Sequence, residues 1–147
     1  MELKELTKDL FDLPETYLLA HCISSDARMG RGIAVAFCKN FDLASLQAST
    51  KETPLEIGRC YREGRVLNLV TKQKYSGKPT YVSLRRSLAS LREICDEDEG
   101  IKKIGMPRIG CGLDRLQWTR VKKMLVEVFE AWDGEIVICS LSKDTSV

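Results

Sequence analysis

The feature that most constrains this chain is an alternation that runs its whole length. Short apolar runs of strand length are separated by segments with helical spacing. Residues 16–23 (TYLLAHCI) form an apolar run too short for a buried helix, as expected of a strand covered on both faces. Residues 33–39 and 43–50 have apolar residues at helical spacing. Residues 57–62 and 65–71 read as two strands joined at Glu63-Gly64, a hairpin signal. Leu84, Leu88, Leu91 and Cys95 share one face of a helix expected over 81–95. A short strand over 102–106 follows. A helix is expected over 116–132, with Val121, Met124, Leu125, Val128 and Phe129 inward, and a last strand over 135–141. Residues 3–6 alternate only weakly and suggest an edge strand. Strands alternating with helices predict an α/β layered fold with a mostly parallel sheet.

In such sheets ligands bind outside the carboxyl ends of the strands. That rule selects three loops, 24–32, 71–80 and 108–114. The first contains Arg28-Met-Gly-Arg-Gly-Ile33 and the last Gly110-Cys-Gly112, each between a strand and a helix. Glycines there let backbone amides approach an anion, and a helix N-terminus favours negative charge. Either turn alone is as well explained by turn geometry. Together they can face each other and hold one diphosphate. Neither is a P-loop, since no Gly-Lys-Ser/Thr follows, and the full Gly-x-Gly-x-x-Gly spacing is missing.

Asp114 has two readings. With Gln117 it resembles a helix N-cap and capping box. It also suits a general base beside a bound sugar. Lys72, at the end of a strand, is either a solvated loop lysine or an amine aimed at a ribose C1 carbon, able to form a Schiff base. Attack requires the neutral amine, which desolvation or a nearby cation such as Lys74 favours. His21, inside an apolar strand, reads first as a core residue. Cys111 lies near an expected helix N-terminus, where a thiol ionises more easily. With no second histidine, a Cys–His pair is the lesser reading. Trp118 and Trp132 read as packing residues.

With 147 residues, the chain is expected to form one domain over 1–147 that buries roughly 68–70% of its unfolded surface without disulfide or metal help. The net charge of +2 argues against nucleic acid as the main partner. The six cysteines include no Cys-x-x-Cys, and His21 is the single histidine, so no metal site is expected. The cysteines suit a reducing compartment. Met1-Glu-Leu-Lys-Glu lacks an apolar leader, and no run reaches about 18 apolar residues. These observations lead to an expectation of an intracellular protein of cytoplasm or nucleus, off the membrane; a monomer is expected, although no sequence feature sets the oligomeric state.

At these residues the chain resembles a known family. Leu19-Ala-His-Cys-Ile-Ser24, Arg28-Met-Gly-Arg-Gly-Ile-Ala34, Lys78-Pro-Thr-Tyr81 and Met106-Pro-Arg-Ile-Gly-Cys-Gly-Leu-Asp-Arg-Leu-Gln-Trp118 are similar to the ALC1-like class of the macrodomain family. The resemblance runs from about residue 4 to 141. It implies a three-layer α/β/α macrodomain with a central mixed, mostly parallel sheet. It implies an ADP-ribosyl-protein glycohydrolase that frees ADP-ribose from Glu and Asp side chains of modified proteins, and a related deacetylation of O-acetyl-ADP-ribose. No metal or other cofactor is implied; the partners are ADP-ribose and ADP-ribosylated proteins.

By motif, the resemblance makes Lys72 the nucleophile and Asp114 the proton-transfer partner. It makes Leu10, Ser24, Thr71 and the run Arg108, Ile109, Gly110, Cys111, Gly112 and Leu113 ligand contacts, with Leu141 near the ligand. Asp9, at the adenine edge, and His21, Gly30, Gly32 and Ile33 complete the expected ADP-ribose contacts. The chain departs from the family at Lys8, where glycine is usual, and at Gln73, where a second lysine is frequent. Residues 142–147 extend past the relative's end. Two other activities are compatible with these motifs: an ADP-ribose reader without turnover, and a phosphatase acting on ADP-ribose 1″-phosphate.

Overall fold

A computed structural model of the chain describes residues 1–112 and 114–141. The expectations for Leu113 and for the extension 142–147 lie outside the described residues. The strands are β1 (Glu2–Thr7), β2 (Leu18–Ser24), β3 (Cys60–Glu63), β4 (Val66–Lys72), β5 (Lys103–Met106) and β6 (Glu135–Ser140). The helices are α1 (Ile33–Asn40), α2 (Ala44–Ser49), α3 (Tyr81–Glu97) and α4 (Trp118–Val128). The strands form one mixed sheet in the order β1-β6-β5-β2-β4-β3. Every neighbouring pair is parallel except the β3–β4 hairpin.

The period of two along each strand divides the core between two faces. Ala20, Leu67, Leu69, Ile104, Met106, Ile136 and Ile138 pack on one side against Leu84, Leu88 and Leu91 of α3 and Val121 and Leu125 of α4. Leu19, Ile23, Val66, Val70, Val137 and Cys139 pack on the other against Ala34 and Phe37 of α1 and Leu46 of α2. Helices therefore cover both faces, giving a three-layer α/β/α arrangement. Gly105 shows how closely the second face is filled. A Cβ there would fall 2.3 Å from Leu13 Cδ1 and 3.2 Å from Leu10 Cδ1. The 3-10 turn Leu10–Asp12 can lie on β5 because that strand presents no side chain at this point.

Three elements differ from the sequence expectation. β1 is longer than the weak alternation indicated. It is an exposed edge strand whose pattern is set by pairing with β6, from Glu2↔Glu135 to Thr7↔Ser140, and by Lys4–Glu135 contact at 3.0 Å. α4 is shorter than 116–132. Phe129 and Trp132 stay buried and edge-packed, 5.4 Å between ring centroids, but beyond the helix end, where Ala131 takes a positive φ of 64°. α4 begins at Trp118 with Gln117 as its cap residue, so the Asp114–Gln117 capping box does not form. The capping box present belongs to α3: Thr80 and Ser83 exchange bonds, and Ser83 Oγ also donates to the Thr71 carbonyl at 2.6 Å. This ties the start of α3 to the end of β4. Among the described residues, no helix is long and apolar enough to cross a membrane.

Candidate active site

β2 lies in the middle of the sheet, with β4 on one side and β5 on the other. The loops leaving these three strands are the loops selected from the sequence, and they meet around one cleft of about 290 Å³. The register of β2 against β4 shifts between Ile23 and Ser24, so that Ser24 pairs with Lys72 at the edge of the cleft, and Ser25 N–H donates to the Lys72 carbonyl at 2.8 Å.

One wall is Gly30, Arg31, Gly32 and Ile33. Gly32 is the cap residue of α1 with φ 60° and ψ −147°, a combination essentially reserved to glycine. Gly32 offers no side chain to cap α1, and the N-terminal residues Ile33 and Ala34 border the cleft, at the helix end where backbone amides lack α-helical carbonyl partners. The facing wall is Pro107, Arg108, Ile109, Gly110 and Gly112. Gly110 has a φ of 73°, and Leu116 N–H donates to its carbonyl at 2.7 Å. A Cβ at Gly110 would meet Leu116 Cδ1 at 2.9 Å. α4 starts six positions after Gly112, so the helix dipole nearest the cleft is that of α1.

Lys72 and Asp114 come together in this cleft. Lys72 Nζ donates to Asp114 Oδ1 at 2.8 Å, and each side chain keeps only 14% of its exposure. Asp114 is therefore released from the helix cap and engaged by the lysine. The Cys22 thiol lines the cleft beside them. Burial, reinforced by the negative charge of Asp114, pushes this thiol up to about 12. Ser24 also lines the cleft, its hydroxyl donating to Asp26. Arg108 lies with its guanidinium 5.4 Å from the Trp118 ring centre and Nη2 3.4 Å from Glu5 Oε1. The Glu5 carboxyl is held below its ordinary range chiefly by its bond from Lys122.

Other expected contacts lie off the cleft. His21 is fully buried, stacks on Phe37 at 3.8 Å, and bonds Asn68 through Nε2 at 2.7 Å. Asn68 uses its amide nitrogen on the Tyr61 carbonyl, so its oxygen faces His21 and Nε2 carries the proton. Burial lowers the His21 pKa to about 4. Cys111 turns its thiol into the core, where burial raises it to about 11, opposite to the lowering expected at a helix N-terminus. Thr71 is buried behind the cleft. Asp9 caps the 3-10 turn through Phe11 N–H, Leu10 is buried under Gly105, and Leu141 is exposed; all three are at the β1–β6 side of the sheet. Met29, Tyr75 and Lys78 also line the cleft; Met29 and Lys78 lie in motifs that the sequence offered, but none of the three was named there as a ligand contact. The loop-after-strand rule pointed to the Tyr75 and Lys78 segment without resolving which side chains turn inward. Among the described residues, no group of three His, Cys, Asp or Glu side chains is placed to hold a metal ion.

The fold recurs in solved structures. The macrodomain of Mycobacterium tuberculosis DarG superposes with a TM-score of 0.85 at 22% identity, covering 95% of this chain and 98% of that one. Thermosipho africanus DarTG, solved in complex with ADP-ribose, matches with a TM-score of 0.78 at 21% identity over 95% of this chain and 42% of that chain. The sheet and the helical layers on its two faces are thus those of a macrodomain. No protein-family model matches the chain. Human ADP-ribose glycohydrolase OARD1 is 46% identical over 134 residues, covering 90% of this chain and 88% of that protein. The chain belongs to this family of ADP-ribose glycohydrolases.

Proposed function

We propose that this protein binds ADP-ribose in the cleft and releases it from Glu and Asp side chains of modified proteins, with Lys72 as nucleophile and Asp114 as proton carrier. The observation that carries the reading is the Lys72–Asp114 contact of 2.8 Å between two glycine walls. The walls supply backbone amides for a diphosphate, with the α1 dipole behind them. The distal ribose then lies toward Lys72, and the adenine toward Asp9 and Leu141.

In the first step, Asp114 takes a proton from the Lys72 ammonium across their hydrogen bond. The freed amine forms a bond to C1″ as the C1″–O bond to the protein side chain breaks, and Asp114 passes its proton to the leaving carboxylate. Asp114 then takes a proton from the new C1″–NH2⁺ group and hands it to O4″ as the C1″–O4″ bond opens, and the nitrogen lone pair completes an iminium at C1″. Water adds to C1″ and its proton passes through Asp114 to the nitrogen; the C1″–N bond breaks, the O4″ hydroxyl closes the ring on C1″, and its proton passes to the Lys72 amine. Free ADP-ribose leaves with Lys72 and Asp114 restored. Acid–base assistance of this kind contributes about 10²–10⁴-fold in rate.

The test is release of ADP-ribose from a Glu-modified peptide by wild type, Lys72→Ala and Asp114→Ala. Loss of release in both variants with retained ADP-ribose binding supports the reading. Release by Asp114→Ala equal to wild type refutes the acid–base role, and binding without release by wild type makes the protein a reader. Borohydride added during turnover labels Lys72 under this mechanism; parallel assays of phosphate release from ADP-ribose 1″-phosphate and of acetate release from O-acetyl-ADP-ribose define the other activities.

A further inference from the structure

A second concavity of about 660 Å³ opens beside the cleft, between the loop after β2, the segment after α2 and the loop after β4. Tyr75 borders both spaces. Its ring is 38% exposed and the Arg28 guanidinium lies 5.7 Å from its centre, so the two residues form the partition between cleft and groove. Across the groove Ile57 presents a large apolar side chain that is 42% exposed.

The groove is preformed. Leu55 N–H donates to the Ser25 carbonyl at 2.9 Å, and Ser25 Oγ donates back to the Leu55 carbonyl. Gln47 Nε2 donates to the Ala27 carbonyl at 2.9 Å, and Thr50 Oγ1 lies 3.3 Å from the Asp26 carbonyl. Its lining carries two cations against one acid. Arg28 and Lys74 line it, and neither makes a salt bridge among the described residues. The single acid in the lining, Asp26, is already occupied by Ser24 Oγ and Arg28 N–H.

The orientation of the ligand decides what this groove can meet. On the proposed function, the adenine points to the β1–β6 side and C1″ points to Lys72 on β4. The carboxyl group bonded to C1″ then leaves the cleft on the β4 side, past Tyr75. We infer that the groove bounded by Tyr75, Arg28, Lys74 and Ile57 docks the peptide segment that carries the modified Glu or Asp, and that it favours segments with further acidic residues. The basic pair attracts the acidic flank, while Ile57 and Tyr75 cover the aliphatic part of its side chains. The proposal rests on the functional reading for its direction of approach.

The test uses Ile57→Glu, which places a like charge in the groove away from the catalytic pair. Two substrates are compared: an acidic peptide ADP-ribosylated on one Glu, and ADP-ribose esterified to a single glutamate. The groove requires KM for the peptide to rise about tenfold or more, with kcat and the KM for the single-glutamate ester unchanged within about twofold. Equal effects on both substrates, or none on the peptide, overturn it. A second measurement removes dependence on turnover. Lys72→Ala is titrated with the modified acidic peptide and with free ADP-ribose, with and without Ile57→Glu. Tighter binding of the peptide that Ile57→Glu abolishes supports docking; identical affinities for the two ligands refute it. Failure of wild type to release ADP-ribose refutes the glycohydrolase reading alone, since the titration still decides whether the groove binds peptide.

Discussion

Lys72 Nζ and Asp114 Oδ1 stand 2.8 Å apart although 42 residues separate them in the chain. Lys72 ends β4 and Asp114 lies in the loop after β5, on opposite sides of β2, and the contact places an ammonium and a carboxylate where water reaches neither freely. Breaking one partner of such a pair leaves an uncompensated charge, whereas removing both does not. Lys72→Ala and Asp114→Ala are each expected to lower stability by about 1–3 kcal/mol, with the double variant less damaged than the sum by roughly 0.5 kcal/mol or more. Denaturant unfolding of the four proteins measures this, and strict additivity would show that the pair is not coupled.

The same contact sets the kinetic expectation. Lys72→Ala and Asp114→Ala should each lower kcat by at least about 100-fold, with ADP-ribose affinity changed much less. Asp114→Asn, which keeps a hydrogen-bonding group near the lysine but cannot accept its proton, should be as inactive as Asp114→Ala. Single-turnover rates on a Glu-modified peptide decide; activity of Asp114→Asn near wild type counts against proton transfer.

Gly32→Ala tests the cleft wall from the other side. A φ of 60° with ψ near −147° costs an alanine about 1–3 kcal/mol, so either the protein loses that stability or the turn shifts. A shifted turn moves the α1 amides, and ADP-ribose affinity should then fall tenfold or more by calorimetry; a turn held in place shows the cost as lost stability in denaturant unfolding. Gly64→Ala also carries a positive φ, 57°, but has open space around it and lies at the hairpin away from the cleft. It should change stability without changing affinity.

His21 makes stability depend on pH. Its folded pKa, about 4, lies below the ordinary histidine value of 6.5, because charging it would place an ion beside Phe37 in the core. Between those values the unfolded chain binds more protons than the native one, so stability is full above pH 6.5 and falls as pH drops toward 4. The loss approaches about 3 kcal/mol. His21→Gln, which retains a donor toward Asn68, should flatten this pH dependence between pH 7.5 and 4.5 in denaturant titrations. An unchanged slope would assign the acid sensitivity to the carboxylates.

Alternation and loop position made the layers and the three cleft-forming loops legible in the sequence. The unbroken apolar run Ile136–Cys139, buried on both faces of the sheet, and the helical spacing of Leu84, Leu88 and Leu91 reflect burial of whole faces, which leaves a strong pattern. β1 left a weak one because an edge strand buries little of either face. Of the two readings of Asp114, the cap does not form: Asp followed three residues later by Gln is a local signal, whereas α4 starts at Trp118 with Gln117 as its cap and the Asp114 carboxylate accepts from Lys72, 42 residues away. Tyr75 was missed because a loop has no periodicity from which to read side-chain direction. The Asp9, Leu10 and Leu141 expectations came from resemblance, and their placement at one end of the sheet follows only from strand order.

That strand order also fixes when the charge pair can exist. A strand pairing on both edges, β2 joins the Lys72 half to the Asp114 half. On the ribosome, the lysine strand is complete long before the aspartate loop is made. Until β5 docks against β2, the lysine has no counter-charge from Asp114 and the cleft has only one wall. On the proposed roles, a nascent or truncated chain ending before residue 114 lacks its proton carrier and has no residual hydrolase activity to leak. On that reading, competence arrives in one step, with completion of the sheet.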